Sequence, residues 1–382
     1  MQALIQDKTN HTAVVKTIPI PTPLPDELLV RVKAIALNPV DALYVAHPIA
    51  QSDGRVVGSD FAGVVEALGA GVVGWQIGDR IAAFVQGACS TNDRPGSFAE
   101  YATTPADLAF KIPSNTSFEH AAALPLCALT SAQALFLRLG LPAPFPIPVS
   151  APAVVPLESS EANPAVLIYG ASTTLGLLAL SLLKLCRTSS GAKYRVFGTA
   201  GKTNHALLRE RGIDGVVDYR DPNWVDEIVK LSGGISAAFD CISEGTTTGN
   251  VSRTFIPAGG KIAVIRGAAW DAKLVREGVH PAYGAVWSGL GVEIGYNGAI
   301  LPALPDSRVF SGAFYRFLAS GNGDNLPIDG PALRIMPGGL GAIVRDGFEL
   351  LGSGTVGGRT GGKGRDEAWM KPISAEKLVY RI

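Results

Sequence analysis

The stretch from Pro164 to Lys184, PAVLIYGASTTLGLLALSLLK, limits what this chain can fold into more than any other segment. Ala165 to Tyr169 is a short apolar run rich in β-branched residues, Gly170 to Gly176 is a turn of small residues, and Leu177 to Leu185 is strongly apolar. A strand covered on both faces has no polar alternation, so this pattern predicts a buried parallel strand, a tight turn and a helix packed on the sheet. The N-terminus of such a helix aims free N–H groups and the positive end of its dipole at whatever lies above the turn. A dinucleotide pyrophosphate suits that position. The turn departs from G-x-G-x-x-G, because Ser172, Thr173 and Thr174 replace glycines, with Leu175 next in line. Two readings follow: the hydroxyls form an alternative phosphate cradle, or they are an ordinary Ser/Thr helix cap.

The chain has 382 residues, enough for about two domains with separate cores. It carries 33 basic and 33 acidic side chains, so no global field draws it to nucleic acid or to an anionic membrane. No charge-free apolar run long enough to span a bilayer is present, and Met1 to Ile20 lacks the basic start and apolar core of a signal peptide. The expectation is a cytoplasmic protein. Cys89, Cys127, Cys186 and Cys241 are far apart and form no C-x-x-C pair, which fits small core residues better than a zinc ribbon or a disulfide framework.

Residues 1–125 read as β-rich, with runs at Leu28 to Ala36, Phe61 to Leu68 and Arg80 to Val85. Pro19, Pro21, Pro23 and Pro25 form an extended lead-in. Seven prolines between Leu141 and Pro164 exclude both a helix and a central strand, leaving an ordered surface loop or linker. Beyond it, strands at Tyr194 to Thr199, Gly215 to Tyr219, Ala237 to Cys241 and Lys261 to Ile265 alternate with helices at His205 to Arg211 and Trp224 to Leu231. That alternation predicts a doubly wound parallel sheet. Leu378 to Ile382 reads as a closing strand, and SGTVGGRTGGKGRD at 353–366 as a mobile loop or a basic clamp for an acidic partner.

Several motifs in order resemble the zinc-free, quinone-reductase-like branch of the medium-chain dehydrogenase/reductase superfamily: ELLVRVKAIALNPVD (Glu27 to Asp41), VVGSDFAGVVEALG (Val56 to Gly69), IGDRIAAF (Ile77 to Phe84), GSFAEY (Gly96 to Tyr101), GTAGKTNHALLRERGID (Gly198 to Asp214) and the terminal EKLVYRI. The proline-rich insertion and the S-T-T turn most resemble fungal trans-acting enoyl reductases. The resemblance implies an α/β chain: a GroES-like β-rich substrate domain from residues 1–125 and 300–382, and a Rossmann NADP-binding domain from residues 126–299. It also implies an oxidoreductase that uses NADPH to reduce an enoyl group on the acyl carrier protein of a polyketide synthase in secondary-metabolite biosynthesis.

The residues bear on that reading unevenly. Related alcohol dehydrogenases would place zinc ligands near Asn38 and at Ser59 and Asp60, where this chain has neither Cys nor a His-Glu pair, so no metal is expected. The second Rossmann strand leads into Thr199 to Asn204, which has no acid to hold a ribose 2′-OH but offers Lys202, Thr203 and Asn204. This favours NADP(H) over NAD. Tyr219 matches a family position at the 2′-phosphate. By resemblance Val40, Asp41, Thr130, Ile265, Arg266, Ile373 and Ser374 lie near the nicotinamide. Leu126, Cys127, Ala128, Leu129, Thr130 and Ser131, with Ser288, Gly289, Leu290 and Gly291, border the acyl pocket.

Enoyl reduction needs a hydride at the β-carbon, a donor at the carbonyl oxygen and a proton for the α-carbon. Trans-acting reductases often carry Lys two residues after the Asp of N-P-V-D, and this chain has Leu43 there. Tyr44 is either a replacement or a packed aromatic, Thr130 orients a carbonyl or holds the nicotinamide amide, and His47 is a loop residue by its place before Pro48. No catalytic acid is assigned. Two alternatives stay open: a reductase of free quinones or enones, and a redox-silent partner of a polyketide synthase. Lys184 with Arg187, or Arg209 with Arg211, are either carrier-protein contacts or solvated helix faces.

Overall fold

The computed structural model describes residues 1–49, 53–157, 164–267, 269–296, 298–321, 324–356, 359, 361–362 and 364–382. The chain divides into two compact units, one of Met1–Leu126 with Trp287–Ile382 and one of Cys127–Val286. The second boundary therefore falls 13 residues before the sequence-based position at 299/300, because the chain re-enters the first unit directly after the last strand of the parallel sheet.

The first unit is built on a seven-stranded sheet. In spatial order its strands are Ala332–Met336, Glu376–Arg381, Glu27–Ala36, Asp60–Leu68, Arg80–Phe84 and Ala109–Lys111, with Tyr101–Pro105 also paired to Glu27–Ala36. The closing strand at the C-terminus is thus central, parallel to one neighbour and antiparallel to the other. Leu28, Val30, Ile35, Phe61, Val65, Ile81, Leu378 and Tyr380 share one core. Every residue from Lys377 to Tyr380 is buried.

In the second unit six parallel strands lie in the order Gly215–Val217, Arg195–Thr199, Ala165–Tyr169, Ala237–Asp240, Gly260–Val264 and Val279–Tyr283. The first strand of the unit is central and the order reverses beside it, the arrangement that leaves a ligand crevice at the carboxyl ends of the strands. The Ala165–Tyr169 strand is buried at every position, and the Thr174–Leu185 helix buries eight consecutive residues from Gly176 to Leu183. The described part of the proline-rich segment forms neither helix nor strand; residues 158–163 of it lie outside the described residues.

In the glycine-rich stretch at 353–366, residues 357, 358, 360 and 363 lie outside the described residues. Arg365, the basic residue at its end, pairs with Asp346 at 2.9 Å, Glu367 at 2.8 Å and Glu349 at 3.2 Å. These internal ion pairs occupy its guanidinium.

Candidate active site

The turn after the Ala165–Tyr169 strand is closed from both sides. Gly170 adopts φ +78°, a conformation that a side chain would strain, and its N–H donates to Thr199 Oγ1 at 3.0 Å. Ala171 N donates to Thr199 O at 2.8 Å, so the end of the neighbouring strand pins the turn. A Cβ at Gly176 would meet Gly170 O at 2.5 Å, which is why the helix can approach the turn only with glycine there. Thr173 is the helix N-cap: its Oγ1 accepts from Gly176 N at 3.0 Å and donates to Gly170 O at 2.8 Å. The Thr173 hydroxyl is spent on the cap, while Ser172, Thr174 and Leu175 line the half-buried mouth of the turn.

Next along the carboxyl edge stand the groups after the second and third strands. Lys202 and Thr203 are exposed in a short 3₁₀ turn that also holds Asn204. Tyr219 packs edge-on against Tyr169 with ring centroids 6.4 Å apart. Arg220, which sequence reasoning did not single out, lays its guanidinium over the Tyr219 ring at 4.5 Å. A Cβ at Gly201 would touch Arg220 Nη1 at 2.8 Å, which brings Arg220 to the Lys202 turn. Asp218 is the acid of this corner. Its carboxylate accepts from Arg220 N at 3.0 Å and lies 3.5 Å from Arg220 Nη1, and these bonds, led by the Arg220 backbone, hold it below its ordinary range. The corner therefore presents two cations and an aromatic ring around an acid already engaged.

The loop after the Ala237–Asp240 strand is fixed by a buried carboxylate, also missed from sequence. Asp240 accepts from Ile242 N, Ser243 N, Thr247 Oγ1 and Thr248 Oγ1 at 2.8 to 3.0 Å. Ser243 Oγ accepts from Ile265 N at 3.0 Å, which positions Ile265 and Arg266 at the end of the next strand. Arg266 pairs with Glu244 at 3.1 Å. Cys127, Ala128, Leu129, Thr130 and Ser131 lie on the Pro125–Ala132 helix and are all buried, and Ser131 Oγ donates to Leu175 O at 3.0 Å.

The first unit holds a buried polar chain that joins Asp41 to Asn38, Ser59 and Asp60 and, unannounced by the sequence, to Lys377. Asn38 caps the Pro39–Ala46 helix, and Asn38 N donates to Asp41 Oδ2 at 2.7 Å. Ser59 Oγ donates to Asp41 Oδ1 at 2.9 Å, and Asn38 Nδ2 donates to Ser59 Oγ at 3.1 Å and to Asp60 Oδ2 at 2.9 Å. Lys377 Nζ donates to Asp60 Oδ2 at 2.7 Å and to Asn38 Oδ1 at 3.1 Å, and Leu126 N donates to Asp60 Oδ1 at 2.9 Å. Burial pushes the Asp41 carboxyl up to about 7, against the hydrogen bonds from Asn38 and Ser59. Cys89 lies beside it, its Sγ 4.0 Å from Asp41 Oδ1 and 3.7 Å from Val40 O.

Tyr44 is a packed aromatic: it is buried and meets Tyr296 edge-on at 5.8 Å. Tyr296 in turn packs on Trp287 at 6.1 Å, and burial drives its hydroxyl far above the usual phenol range. His47 is exposed. Gly289 and Leu290 are buried, with Ser288 and Gly291 half-buried beside them, and Arg308 donates to Leu290 O at 3.5 Å while pairing with Asp107. Ile373 and Ser374 sit in a loop held by Arg334, which donates to Trp369 O at 2.8 Å, Lys371 O at 2.6 Å and Pro372 O at 3.1 Å and pairs with Glu376.

Residues 24–114 match the alcohol dehydrogenase GroES-like domain. The chain is 34% identical over 346 residues to the trans-enoyl reductase ACTTS2 of Alternaria alternata, covering 90% of this chain and 93% of that one. It is 32% identical to the trans-enoyl reductase ccsC of Aspergillus clavatus, over 95% of this chain and 91% of that one. The chain belongs to the enoyl reductases of the medium-chain dehydrogenase/reductase superfamily. A mycobacterial protein solved in complex with NADPH shares the fold at TM-score 0.66 and 19% identity, each chain covered fully. The reductase is an oxidoreductase with a two-domain α/β fold. Among the described residues of the reductase no group of three or more His, Cys, Asp or Glu stands together to hold a metal ion. Its four cysteines are free and buried, and among the described residues no helix is long and apolar enough to cross a membrane.

Proposed function

We propose that the chain is an NADPH-dependent trans-acting enoyl reductase that reduces an α,β-unsaturated acyl thioester carried by the acyl carrier protein of a polyketide synthase. The observation that carries the cofactor half is the corner of Lys202, Tyr219 and Arg220, where the acid, Asp218, is already held by Arg220. A 2′-phosphate gains two cations there, whereas a ribose 2′-OH finds no free carboxylate to accept its hydrogen bond. The relatives named trans-enoyl reductases support the thioester and the separate synthase.

The fit extends along the same edge. The Thr173-capped helix has twelve residues and points its N-terminus at the turn, and the N–H groups of Thr174 and Leu175 with the hydroxyls of Ser172 and Thr174 suit a pyrophosphate. Thr203 and Asn204 continue the ribose side. Val40, Asp41, Thr130, Ile265, Arg266, Ile373 and Ser374 are assigned to the nicotinamide end, and Leu126 to Ser131 with Ser288 to Gly291 to the acyl chain. Bound NADPH supplies the hydride.

The remaining work falls to side chains. Thr130 Oγ1 is assigned to orient the thioester carbonyl, where a donor stabilises negative charge on oxygen. Leu43 can donate nothing. Asp41, two residues earlier, has a carboxyl balanced between its two forms near neutral pH, and the Ser59–Asn38–Asp60–Lys377 chain holds it in place. Asp41 is a positioning and proton-holding residue rather than the final donor, because it is 1% exposed.

The test is oxidation of NADPH, and separately of NADH, by the purified chain with an enoyl pantetheine thioester. Turnover with NADPH at least about tenfold more efficient than with NADH is expected, the worth of one charge-assisted contact. Cofactor binding with no thioester turnover, alone or with the carrier-bound substrate, overturns the reading.

A further inference from the structure

Tyr296 closes the short strand Ile294–Tyr296, which pairs antiparallel with Ala299–Leu301. Side chains two apart on a strand share a face, so Tyr296 lies on the same side as Ile294, which is buried. A segment from Gly87 to Asn92 holds this strand. Thr91 N donates to Gly295 O at 3.0 Å, and any side chain at Gly295 would collide with Thr91 Oγ1. The same segment sets Cys89 against Val40 O and Asp41 Oδ1. Arg55, itself buried, fixes the segment by donating to Gly87 O at 2.9 Å and to Ser90 O and Asn92 O. Tyr296 and Asp41 are thus tied to one stretch of six residues.

The ring has a different neighbour on each side. Tyr44 meets it edge-on at 5.8 Å and stands one helical turn after Asp41 on the Pro39–Ala46 helix. Trp287 meets it at 6.1 Å and directly precedes Ser288 to Gly291. The side chains of Tyr44 and Trp287 are also the hydrogen-bonding neighbours of the Tyr296 hydroxyl. Asp41, Tyr44, Ser59, Cys89 and Trp287 are each 5% exposed or less, whereas Tyr296 is half-buried. Within this group Tyr296 is the hydroxyl with an open face. Desolvation, with Tyr44 and Cys89 beside it, drives the phenol far above its ordinary range, so it stays protonated and free to donate.

On the enoyl reductase reading above, we infer that Tyr296 is a catalytic residue whose O–H donates to the thioester carbonyl oxygen and holds the negative charge that gathers there as hydride reaches the β-carbon. That reading assigns Asp41 to the nicotinamide end and Ser288 to Gly291 to the acyl chain, and the reacting thioester joins the two. Tyr296 is packed between a neighbour of the first and a neighbour of the second. Leu43, on the helix itself, offers no donor. A carbonyl oxygen accepts two hydrogen bonds, so Tyr296 works with Thr130 rather than instead of it. Tyr44 and Trp287 act through Tyr296 as positioning residues, fixing its ring and its hydroxyl.

The experiment compares the full chain with Tyr296→Phe, which keeps the ring and its packing and removes only the hydroxyl. Turnover of an enoyl pantetheine thioester with NADPH is read beside the infrared carbonyl band of a bound saturated acyl pantetheine thioester, carbon-13 labelled at the carbonyl. In Tyr296→Phe kcat should fall by about a hundredfold or more, with KM for NADPH and the urea midpoint little changed. The bound carbonyl band, lowered in the wild type by the donated hydrogen bond, should move to higher frequency. Tyr44→Phe leaves the donor in place and should keep the lowered band. A band that is the same in wild type and Tyr296→Phe overturns the assignment whatever kcat does, and so does a kcat within about twofold of the wild type. Failure of the wild type to turn over the thioester counts against the reductase reading instead, and the carbonyl band alone then decides whether Tyr296 holds the carbonyl.

Discussion

Lys377 Nζ lies 2.7 Å from Asp60 Oδ2 although the two residues are 317 positions apart in the chain. Both are buried, at side-chain exposures of 3% and 0%. A buried ion pair adds little net stability when whole, but breaking it leaves an uncompensated charge in the interior. Lys377→Met is therefore expected to cost about 3–5 kcal/mol in urea unfolding. The Lys377→Met/Asp60→Asn double variant should recover much of that loss. Equal stabilities of the single and double variants would show that the Asp60 charge is not what Lys377 balances.

Asp41 gives the same chain of side chains a pH dependence. Its carboxyl is raised from the ordinary 3.8 to about 7, so the folded state holds the proton more tightly than the unfolded state. The stabilisation is complete below the unfolded value and is lost as pH rises from about 4 through about 7. The groups facing Asp41 are Asn38, Ser59, Asp60, Lys377 and Cys89. Asp41→Asn cannot ionise, so its melting temperature should gain on that of the wild type between about pH 5 and pH 8. Melting curves that stay parallel over that range refute the assignment.

How much of this was readable in the sequence depends on where each partner lies. The Pro164 to Lys184 unit was legible because a strand buried on both faces is apolar throughout, and the parallel sheet followed from strands and helices alternating at short spacing. Lys377 was not, because its partners Asn38 and Asp60 are brought to it only by the fold. A signal was present: Lys377 directly precedes the apolar run Leu378 to Tyr380 on the closing strand, where the burial that covers the run reaches the lysine too. Arg220 stands next to Tyr219 and reads as a surface residue until the Gly201 turn is seen beside it. The Thr173 hydroxyl was open to two readings, phosphate donor or helix cap, and the backbone geometry of the turn selects the cap.

The cofactor corner makes a prediction that separates its two cations from general surface charge. Lys202→Glu and Arg220→Glu each replace a charge-assisted contact worth about 1.5–3 kcal/mol. Each should raise KM for NADPH by about 10–100-fold, with KM for NADH changed little. Arg220→Glu should also release Asp218, and so lower the preference for NADPH more than Lys202→Glu does. Equal losses with both cofactors would place these residues outside the 2′-phosphate contact.

Thr173 and Gly176 make the turn itself testable, because they act by different routes. Thr173→Val removes the hydroxyl that caps Gly176 N, at a cost of about 1 kcal/mol, and Thr173→Ser restores it. Gly176→Ala instead drives a methyl group to 2.5 Å from Gly170 O and 2.6 Å from Ala171 Cα, both backbone atoms with nowhere to yield. Overpacking of this kind costs about 1–3 kcal/mol, and here it is relieved only by lifting the helix off the turn. NADPH affinity should therefore fall more steeply in Gly176→Ala than in Thr173→Val at equal loss of stability. Fluorescence titration of the two variants with NADPH, set beside their urea midpoints, decides it: affinities that track stability alone would mean that the turn does not shape the pyrophosphate site.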